Sequence, residues 1–525
     1  MTADSTPDIG LAALLLRRAE LTPHRKAVTF EGTTRTFGGL ADRARRIAGA
    51  LLEGGIQAGD RVGYLGVNHS AFLEALYGTA AMGGVFVPLN FRLTGDELTY
   101  IVNDAGIKTL FVDDALHPTI AKVRSNLCCS TYIDVESRHE DVESRHESDG
   151  FLEEIIKDSE PLMDPHNAAQ DDDLLIMYTS GTTGLPKGAV LTHANLYWNF
   201  VNTMMSFNFL EEDVTLVAAP LFHIGGLNVT TLGTINVGGH AIIHRSFDPG
   251  QALADIEGYK VTTMFGAPAM YQFMALNENW QATDLSSLRG LICGAAPVPE
   301  PLIKEYSERG ITFCQGYGMT ELSPLALILS GEFSAVKIGS TGKPAMFTEV
   351  RVVDEGNRPV EAGARGEVVV RGPNVMKGYW NNPDATAATI DADGWLHSGD
   401  IAYVDEEGFF YICDRLKDMV ISGGENVYPA EVENVLHQHP EVADAAVIGV
   451  PDERWGEAVK AIIVKAPEAE LTSEELIAFS RERIAHFKAP KSVDFTAELP
   501  RNHSGKILKR ELREPYWAGR DKQVV

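Results

Sequence analysis

A stretch rich in glycine and hydroxyl side chains, residues 178–188, carries the clearest chemistry in the sequence. It contains three glycines, four aliphatic hydroxyls and one lysine, and it joins two short apolar runs, 174–178 and 189–191. Glycines let backbone amides approach an anion, hydroxyls donate hydrogen bonds, and the lysine adds positive charge. The stretch therefore predicts a phosphate-binding loop between two strands.

This loop differs from the Walker A pattern. Pro186 precedes Lys187, where that pattern requires a glycine, and the residues after the lysine predict a strand rather than a helix. We therefore expect no helix N-terminus to contribute to phosphate binding. The alternative interpretation is a surface loop that binds nothing.

A histidine lies where a predicted strand ends, a common place for ligand sites. His223 follows the apolar run 214–220 and precedes Gly225 and Gly226, which we expect to leave open space beside it. A lone histidine is more often structural. Its position beside two glycines favours a contact with a substrate.

Two later segments contain groups suited to a nucleotide. The predicted strand 291–294 is followed by small residues, against which a flat ring can stack. In segment 315–321, Tyr317 can stack on a base, Thr320 can reach a phosphate, and the Glu321 carboxylate can bind Mg²⁺. Asp400 can accept hydrogen bonds from a diol. The alternative interpretation of Asp400 is that it forms an ion pair at the surface.

The elements that must position these residues alternate between strand and helix patterns. Thr36 opens a helical pattern that Gly54 and Gly55 end, and Thr94 with Glu97 has the form of a capping box. Alternating strands and helices predict βαβ units and a largely parallel sheet. The fold class is therefore α/β, with short strands around 366–371 that resemble a small antiparallel barrel.

Composition excludes several classes of protein. The 525 residues allow more than one domain, and the net charge of −28 argues against nucleic acid or an anionic membrane surface as partner. Five cysteines without a CxxC pair indicate neither a disulfide framework nor a zinc site, which fits a cytoplasmic protein. We see no signal peptide and no membrane-spanning run.

A tandem duplication, VESRHED followed by VESRHES, occupies residues 135–148. It is polar and lacks apolar residues spaced to bury a face, so it predicts a surface loop or an exposed helix. His139 and His146 lie seven residues apart, two helical turns, which is too far to share a metal ion easily.

The motifs together resemble the adenylate-forming superfamily, in its acyl-CoA synthetase and acid–CoA ligase branch. The resemblance runs from about Leu11 to about Leu512 and keeps the family order of motifs. It implies a large N-terminal domain, residues 1–416, of mixed βαβ sheets plus a small β-barrel. It also implies a small, mobile α+β C-terminal domain, residues 417–525, that carries the catalytic lysine and the CoA tunnel.

The resemblance also implies roles for individual residues. The catalytic residues would be Lys506, Thr320, Glu321 and His223, and Glu321 and Thr179 would hold Mg²⁺. The ATP- or AMP-binding residues would be Thr179, Ser180, Gly181, Thr182, Thr183, Gly184, Lys187, Gly294, Ala295, Ala296, Gln315, Gly316, Tyr317, Gly318, Met319, Thr320, Asp400, Ile412, Arg415 and Lys506. The remaining residues would be the hinge pair Lys417 and Asp418, the acyl contacts His223, Gly225, Gly226, Gly294, Gly316 and Leu322, and the CoA contacts Ser422, Gly423 and Gly424.

The implied reaction is an ATP-dependent acid–thiol ligation in two half-reactions. A carboxylic acid would form an acyl-adenylate and pyrophosphate, and CoA would then take the acyl group and release AMP. Small Gly225, Gly226 and Ala326 favour a medium- or long-chain fatty acid, whereas segments 264–266 and 270–271 suit a 4-coumarate- or ferulate-like ring. A carrier-protein adenylation enzyme, a luciferase-like oxygenase and a binding protein without activity are alternatives. The expected partners are small molecules, and a homodimer is one open oligomeric state.

Overall fold

The computed structural model describes residues 8–136, 148–179, 185–294, 298–415, 418–422, 425–452, 454–501 and 507–518. The chain divides into two compact units. The first comprises residues 1–350 and 370–396, and the second comprises residues 351–369 and 397–525. The predicted domain boundary between residues 416 and 417 lies within the second unit. The predicted boundary separates a fixed part from a moving part, whereas the two units are groups of residues that pack together. The boundary therefore stays a prediction. The duplicated segment lies mostly outside the described residues.

Most helices begin at a residue whose side chain caps them or with an early proline. Thr36 accepts a hydrogen bond from the amide of Gly39, and Thr94 and Glu97 form the predicted capping box. The helices are α1 (Leu11–Leu21), α2 (Phe37–Glu53), α3 (Ser70–Ala81), α4 (Gly95–Ala105), α5 (His117–Val123), α6 (Leu152–Asp158), α7 (His193–Phe207), α8 (Leu232–Val237), α9 (Pro249–Tyr259), α10 (Pro268–Ala275), α11 (Glu300–Ser307), α12 (Pro383–Thr389), α13 (Pro429–Leu436), α14 (Ser473–Arg481) and α15 (Lys509–Trp517).

Most strands are short, apolar and buried. Those before the predicted phosphate loop are β1 (Lys26–Phe30), β2 (Thr33–Thr36), β3 (Arg61–Leu65), β4 (Val85–Leu89), β5 (Ile107–Val112), β6 (Thr131–Asp134), β7 (Gly150–Phe151) and β8 (Asp173–Thr179). Those after it are β9 (Lys187–Thr192), β10 (Val214–Val217), β11 (His240–Ile243), β12 (Thr263–Gly266), β13 (Gly290–Cys293), β14 (Phe313–Gly318), β15 (Leu325–Leu329), β16 (Lys343–Pro344), β17 (Glu349–Val353), β18 (Gly366–Arg371), β19 (Gly378–Tyr379), β20 (Leu396–Val404), β21 (Phe410–Arg415), β22 (Val420–Ser422), β23 (Glu425–Val427), β24 (Val442–Asp452), β25 (Gly456–Lys465) and β26 (Ser492–Thr496).

The first unit contains two mixed sheets. One has the order β16-β15-β14-β13-β12-β10-β11-β1-β2, and the other has the order β19-β9-β8-β4-β3-β5-β6-β7. The central strands of both sheets run parallel, as the alternation of strands and helices predicts. The carboxyl ends of neighbouring parallel strands therefore meet at one edge, where ligands bind in open α/β sheets.

The second unit contains the strands that the sequence assigns to a small barrel. They form a sheet of order β17-β18-β20-β21. A further sheet has the order β23-β22-β25-β24, with β26 parallel to β25. Helices α13 and α14 pack on this sheet around the buried Val432 and Leu476. The α/β fold with a large first part and a small α+β C-terminal part is thus confirmed. In the described part of the chain, no helix is both long and apolar enough to cross a membrane.

Candidate active site

The two ends of the predicted phosphate loop form a hairpin. Thr179 closes β8, Lys187 opens β9, and the two residues pair across the antiparallel ladder. The Thr179 hydroxyl lies 3.5 Å from the Lys187 carbonyl oxygen and 3.4 Å from Glu321 Oε1. Ser180, Gly181, Thr182, Thr183 and Gly184 lie outside the described residues. The fold therefore fixes both ends of the loop beside a buried carboxylate.

The Glu321 carboxylate is positioned by the loop that follows β14. Glu321 belongs to the short 3₁₀ helix Thr320–Leu322, and only 5% of it is exposed. Its Oε1 accepts a hydrogen bond from the Tyr379 hydroxyl at 2.9 Å, and its carbonyl oxygen accepts one from the Met376 amide. The structure thus brings together Thr179 and Glu321, the two residues predicted to bind Mg²⁺.

Tyr379 is a site residue that sequence reasoning missed. It lies in β19, which pairs with β9 through Ala189, and its ring packs 5.1 Å from Lys187 Nζ. Burial, and then the negative charge of Glu321, raise the pKa of Tyr379 above its ordinary value of 10. The only signal in the sequence is an aromatic residue after a glycine, which is too common to predict this role.

The donor set suits Mg²⁺ held mainly by substrate. Glu321 supplies a carboxylate and Thr179 a hydroxyl, both oxygen ligands of the kind that Mg²⁺ prefers. Among the described residues, no group of three or more histidines, cysteines or acidic residues could hold a metal ion. Mg²⁺ commonly keeps several waters and binds one or two carboxylates plus phosphates. The residues present therefore fit a nucleotide-bound Mg²⁺ rather than a closed metal site.

His223 lies between β10 and an unusual helical turn. The residues after it form a π-helix, Gly226–Thr231, and the His223 ring packs against Phe222 with centroids 4.5 Å apart. Such π turns are often found at functional sites. His223 as a whole is half-buried, and its Nε2 atom is buried.

The expectation that Gly225 and Gly226 leave open space beside His223 is wrong. A Cβ on Gly226 would lie 2.3 Å from the carbonyl oxygen of Pro220, so this glycine permits close backbone packing. A Cβ on Gly225 would lie 2.9 Å from the ring of Phe265. The space that the glycines leave is filled, by backbone at Gly226 and by an aromatic ring at Gly225.

The ring of Phe265 lies beside two predicted acyl contacts, Gly225 and Gly294. Its ring also lies 3.2 Å from a Cβ built on Gly294, the residue after β13. Phe265 itself is half-buried, whereas Met264 and Tyr271 are fully buried. The Tyr271 hydroxyl is 2.9 Å from two backbone carbonyl oxygens. Tyr271 therefore belongs to the core, whereas Phe265 keeps part of its surface exposed.

The predicted adenine-binding residues lie directly after β13 and within β14. Gln315 pairs with Cys293 of β13, and Tyr317 is half-exposed. The Gln315 Nε2 is buried, and it has no hydrogen-bond partner among the described residues. Ala295 and Ala296 lie outside the described residues.

Tight packing explains the glycines of this segment. A Cβ on Gly318 would lie 1.7 Å from the Pro324 carbonyl oxygen, and one on Gly316 would lie 2.7 Å from Leu325 Cδ2. The Met319 amide donates to the Pro324 carbonyl oxygen at 3.0 Å. Leu322, a predicted acyl contact, is fully buried.

In the second unit, the structure brings together part of the predicted nucleotide contacts. Asp400 of β20 pairs with Arg415 of β21, and Ala402 pairs with Ile412. Asp400 is half-exposed, and its amide donates to the Ser398 hydroxyl at 3.1 Å. These positions are consistent with contacts to the same ligand group.

The hinge and CoA predictions fall partly outside the described residues. Asp418 is buried and accepts a hydrogen bond from Arg513 of α15 at 2.6 Å, and Ser422 is buried at the end of β22. Lys417, Gly423, Gly424 and Lys506 lie outside the described residues.

Comparison with known proteins identifies the family. Residues 15–380 match the model of the AMP-binding enzymes, and residues 431–506 match that of the AMP-binding enzyme C-terminal domain. The chain belongs to the AMP-binding enzyme family. Its adenylate-forming character and its place in the acid–CoA ligase branch, as the motifs predict, are confirmed.

Curated relatives cover nearly the whole chain. A feruloyl-CoA synthase of Amycolatopsis is 48% identical over 97% of this chain and 99% of its own. An indoleacetate–CoA ligase of Aromatoleum aromaticum is 38% identical, with 95% and 96% coverage. A fatty acid–[acyl-carrier-protein] ligase, ScoC, of Streptomyces coeruleorubidus is also 38% identical, with 96% coverage of both chains.

Solved structures share the fold over the same length. ATP-bound MatB from Rhodopseudomonas palustris has a TM-score of 0.89 and 32% identity, with 98% of this chain and 99% of that chain covered. The o-succinylbenzoate CoA synthetase of Bacillus subtilis with ATP and magnesium has a TM-score of 0.85 and 33% identity, with 95% and 98% covered. The enzyme described here is therefore an acid–thiol ligase of this fold.

Proposed function

We propose that this enzyme activates an aromatic acid of the hydroxycinnamate type with ATP and transfers it to CoA. The observation that carries the proposal is the 48% identity to feruloyl-CoA synthase over 97% of the chain. The half-buried ring of Phe265, packed against Gly225 and Gly294, supports it, because an aromatic wall suits a flat ring. The expected cosubstrates are ATP and CoA, with Mg²⁺.

A fatty acid is the second candidate. The sequence argument for it was an open pocket beside Gly225 and Gly226, and this argument is lost because both glycines are packed against neighbouring atoms. What still favours it is the 38% identity to a fatty acid ligase that loads a carrier protein. The same relative keeps a carrier protein open as the acyl acceptor.

In the first half-reaction, the substrate carboxylate would attack the α-phosphorus of ATP and pyrophosphate would leave. Thr179 and Lys187, at the two ends of the loop, would hold the outer phosphates, and Glu321 would hold Mg²⁺. Bound Mg²⁺ would neutralise charge on the phosphate oxygens. Positioning and charge neutralisation carry most of such a step. By resemblance, Lys506 would contact both the carboxylate and the α-phosphate.

In the second half-reaction, CoA thiolate would attack the acyl carbonyl and AMP would leave. The resemblance assigns the ribose hydroxyls to Asp400, the ribose and phosphate to Arg415, and the CoA arm to the segment 422–424. We propose that residues 417–525 form the part that rotates between the two half-reactions, as a domain-scale motion. Lys506 would then contribute to the first half-reaction alone.

A panel of acids tests the proposal. Ferulate, 4-coumarate, indoleacetate, octanoate and hexadecanoate would each be incubated with ATP, Mg²⁺ and CoA, with AMP release and the mass of the thioester as readouts. We expect kcat/KM for ferulate or 4-coumarate to exceed that for either straight-chain acid at least about tenfold. A higher kcat/KM for a straight-chain acid would establish the second candidate. AMP release that CoA does not accelerate would point to a carrier protein.

A further inference from the structure

We propose that Tyr379 is a positioning residue for the ATP-dependent half-reaction, which holds the Glu321 carboxylate with its hydroxyl and the Lys187 ammonium with its ring face. The inference rests on the proposed use of ATP with Mg²⁺. It adds a residue outside the motifs from which the sequence predicted the site. It also explains how two groups distant in sequence keep a fixed relative position.

The hydroxyl contact restricts the carboxylate. Tyr379 donates to Glu321 Oε1 at 2.9 Å, and the Thr179 hydroxyl is 3.4 Å from the same oxygen. A hydrogen bond to a buried carboxylate is stronger than one between neutral groups. With Oε1 held in this way, rotation of the Glu321 carboxylate is restricted, and Oε2 is the oxygen that we expect to bind the metal.

The ring contact places the lysine charge. Lys187 Nζ lies 5.1 Å from the centroid of the Tyr379 ring, within the range of a cation–π contact. Lysine has a flexible four-carbon stem, so a contact with a fixed ring restricts where its ammonium lies. One side chain therefore contacts both a predicted phosphate ligand and a predicted metal ligand.

The backbone around Tyr379 is held on both sides. Its amide donates to the Thr386 hydroxyl at 2.9 Å, and the amide of Trp380 donates to the Gly188 carbonyl oxygen at 2.7 Å. The Trp380 indole donates to the carbonyl oxygen of Asp104 at 3.1 Å. A side chain on such an anchored strand is suited to positioning, because its own freedom is already restricted.

The test compares Tyr379→Phe with the parental enzyme by calorimetric titration of ATP, with Mg²⁺ and with EDTA, in the absence of acid and CoA. We expect the factor by which Mg²⁺ strengthens ATP binding to fall about tenfold in Tyr379→Phe, because the ring stays and the hydroxyl is lost. Tyr411→Phe is the matched control, since that hydroxyl also faces a carboxylate, Asp405 Oδ2 at 3.4 Å, and we expect no change in it. An unchanged Mg²⁺ factor in Tyr379→Phe would overturn the inference.

Two further variants separate the contacts and guard against misfolding. Tyr379→Leu removes the ring as well, so ATP binding in EDTA should also weaken, about threefold, if the ring positions Lys187. In the double variant Tyr379→Phe/Glu321→Gln, the Mg²⁺ factor should equal that of Glu321→Gln alone, because the hydroxyl acts through the carboxylate. If the two substitutions reduced the Mg²⁺ factor additively, the Tyr379 hydroxyl would not act through Glu321, and the inference would be overturned. If the parental enzyme bound no ATP at all, the proposed function would fail rather than this inference.

Discussion

His193 is a single residue that links the N-terminal helix to the core of the first unit. Only 3% of it is exposed, and its Nδ1 accepts a hydrogen bond from the amide of Leu11, the first residue of α1, at 3.1 Å. Burial lowers the pKa of His193 from 6.5 to about 4, although the charges of Asp172 and Asp8 oppose the shift. The folded protein therefore holds this histidine neutral.

This lowered pKa predicts a loss of stability in mild acid. Below about pH 6.5, His193 becomes protonated in the unfolded chain but stays neutral in the folded protein. The contribution of neutral His193 to the free energy of unfolding is therefore fully present above pH 6.5 and is lost as the pH falls toward 4. Between pH 7 and pH 5 the expected loss is about 2 kcal/mol. The free energy of unfolding, measured in urea, should therefore fall between pH 7 and pH 5 by about 2 kcal/mol less in His193→Gln than in the parental enzyme.

The exposed His24 provides the matched control. His24→Gln should keep the pH dependence of the parental enzyme. If His193→Gln also kept it, the acid sensitivity would come from other groups, and the neutral state of His193 would contribute nothing measurable.

The sequence could name most candidate residues but not their surroundings. The chemistry of Glu321 and Thr179 is visible in their residue types and their order, whereas their closeness depends on two different strand ends. Tyr379 reaches Glu321 only because β19 pairs with β9, a contact between residues almost 190 positions apart. The position beside Gly226 is occupied by the carbonyl oxygen of Pro220, and the pattern of side chains in the sequence cannot predict such a backbone contact.

At the scale of elements, local signals predicted the helix starts well. The predicted capping box at Thr94 is present, and Thr472 with Glu475 forms a second one, because each box depends on residues only three apart. The π-helix Gly226–Thr231 was not predicted, since its winding differs from an α-helix by a local adjustment that tertiary packing imposes. Local rules therefore gave the element boundaries more reliably than the detailed geometry beside His223.

These capping boxes allow a test of the two units. Thr94 precedes α4 in the first unit, and Thr472 precedes α14 in the second. Replacing a threonine cap by alanine costs about 1 kcal/mol. If the units unfold in separate steps, Thr94→Ala should lower one calorimetric transition and Thr472→Ala the other. A shift of the same single transition in both variants would mean that the whole chain unfolds cooperatively.

At the scale of the whole molecule, two half-reactions must use one set of bound groups. The resemblance assigns Lys506 to the first half-reaction and the segment 422–424 to the second, so the C-terminal part has to present different faces in turn. The structure limits where the pivot can lie. Arg513 of α15 binds Asp418 at 2.6 Å, so the Asp418 side chain is tied to the C-terminal part, and a change of ψ at Asp418 would break this ion pair. Residue 417, directly before it, therefore stays our proposed pivot.

Lys417→Pro tests this pivot. Proline fixes φ near −65° and restricts the residue before it, so the variant should hold one orientation. The orientation that presents Lys506 is expected when ATP is bound, because it serves the first half-reaction. We therefore expect Lys417→Pro to keep much of its pyrophosphate release and to lose most of its thioester formation, at least about tenfold. Both products would be measured in one assay, with and without CoA.

The two half-reactions act as controls for each other. Equal loss of pyrophosphate release and thioester formation would indicate misfolding or a step common to both, and the calorimetric transitions would distinguish these two causes. Full thioester formation would place the pivot elsewhere or show that no rotation is needed. A selective loss of the second half-reaction would mean that the backbone at residue 417 must change φ for CoA to react, because the substitution alters the freedom of the chain there rather than any predicted ligand contact.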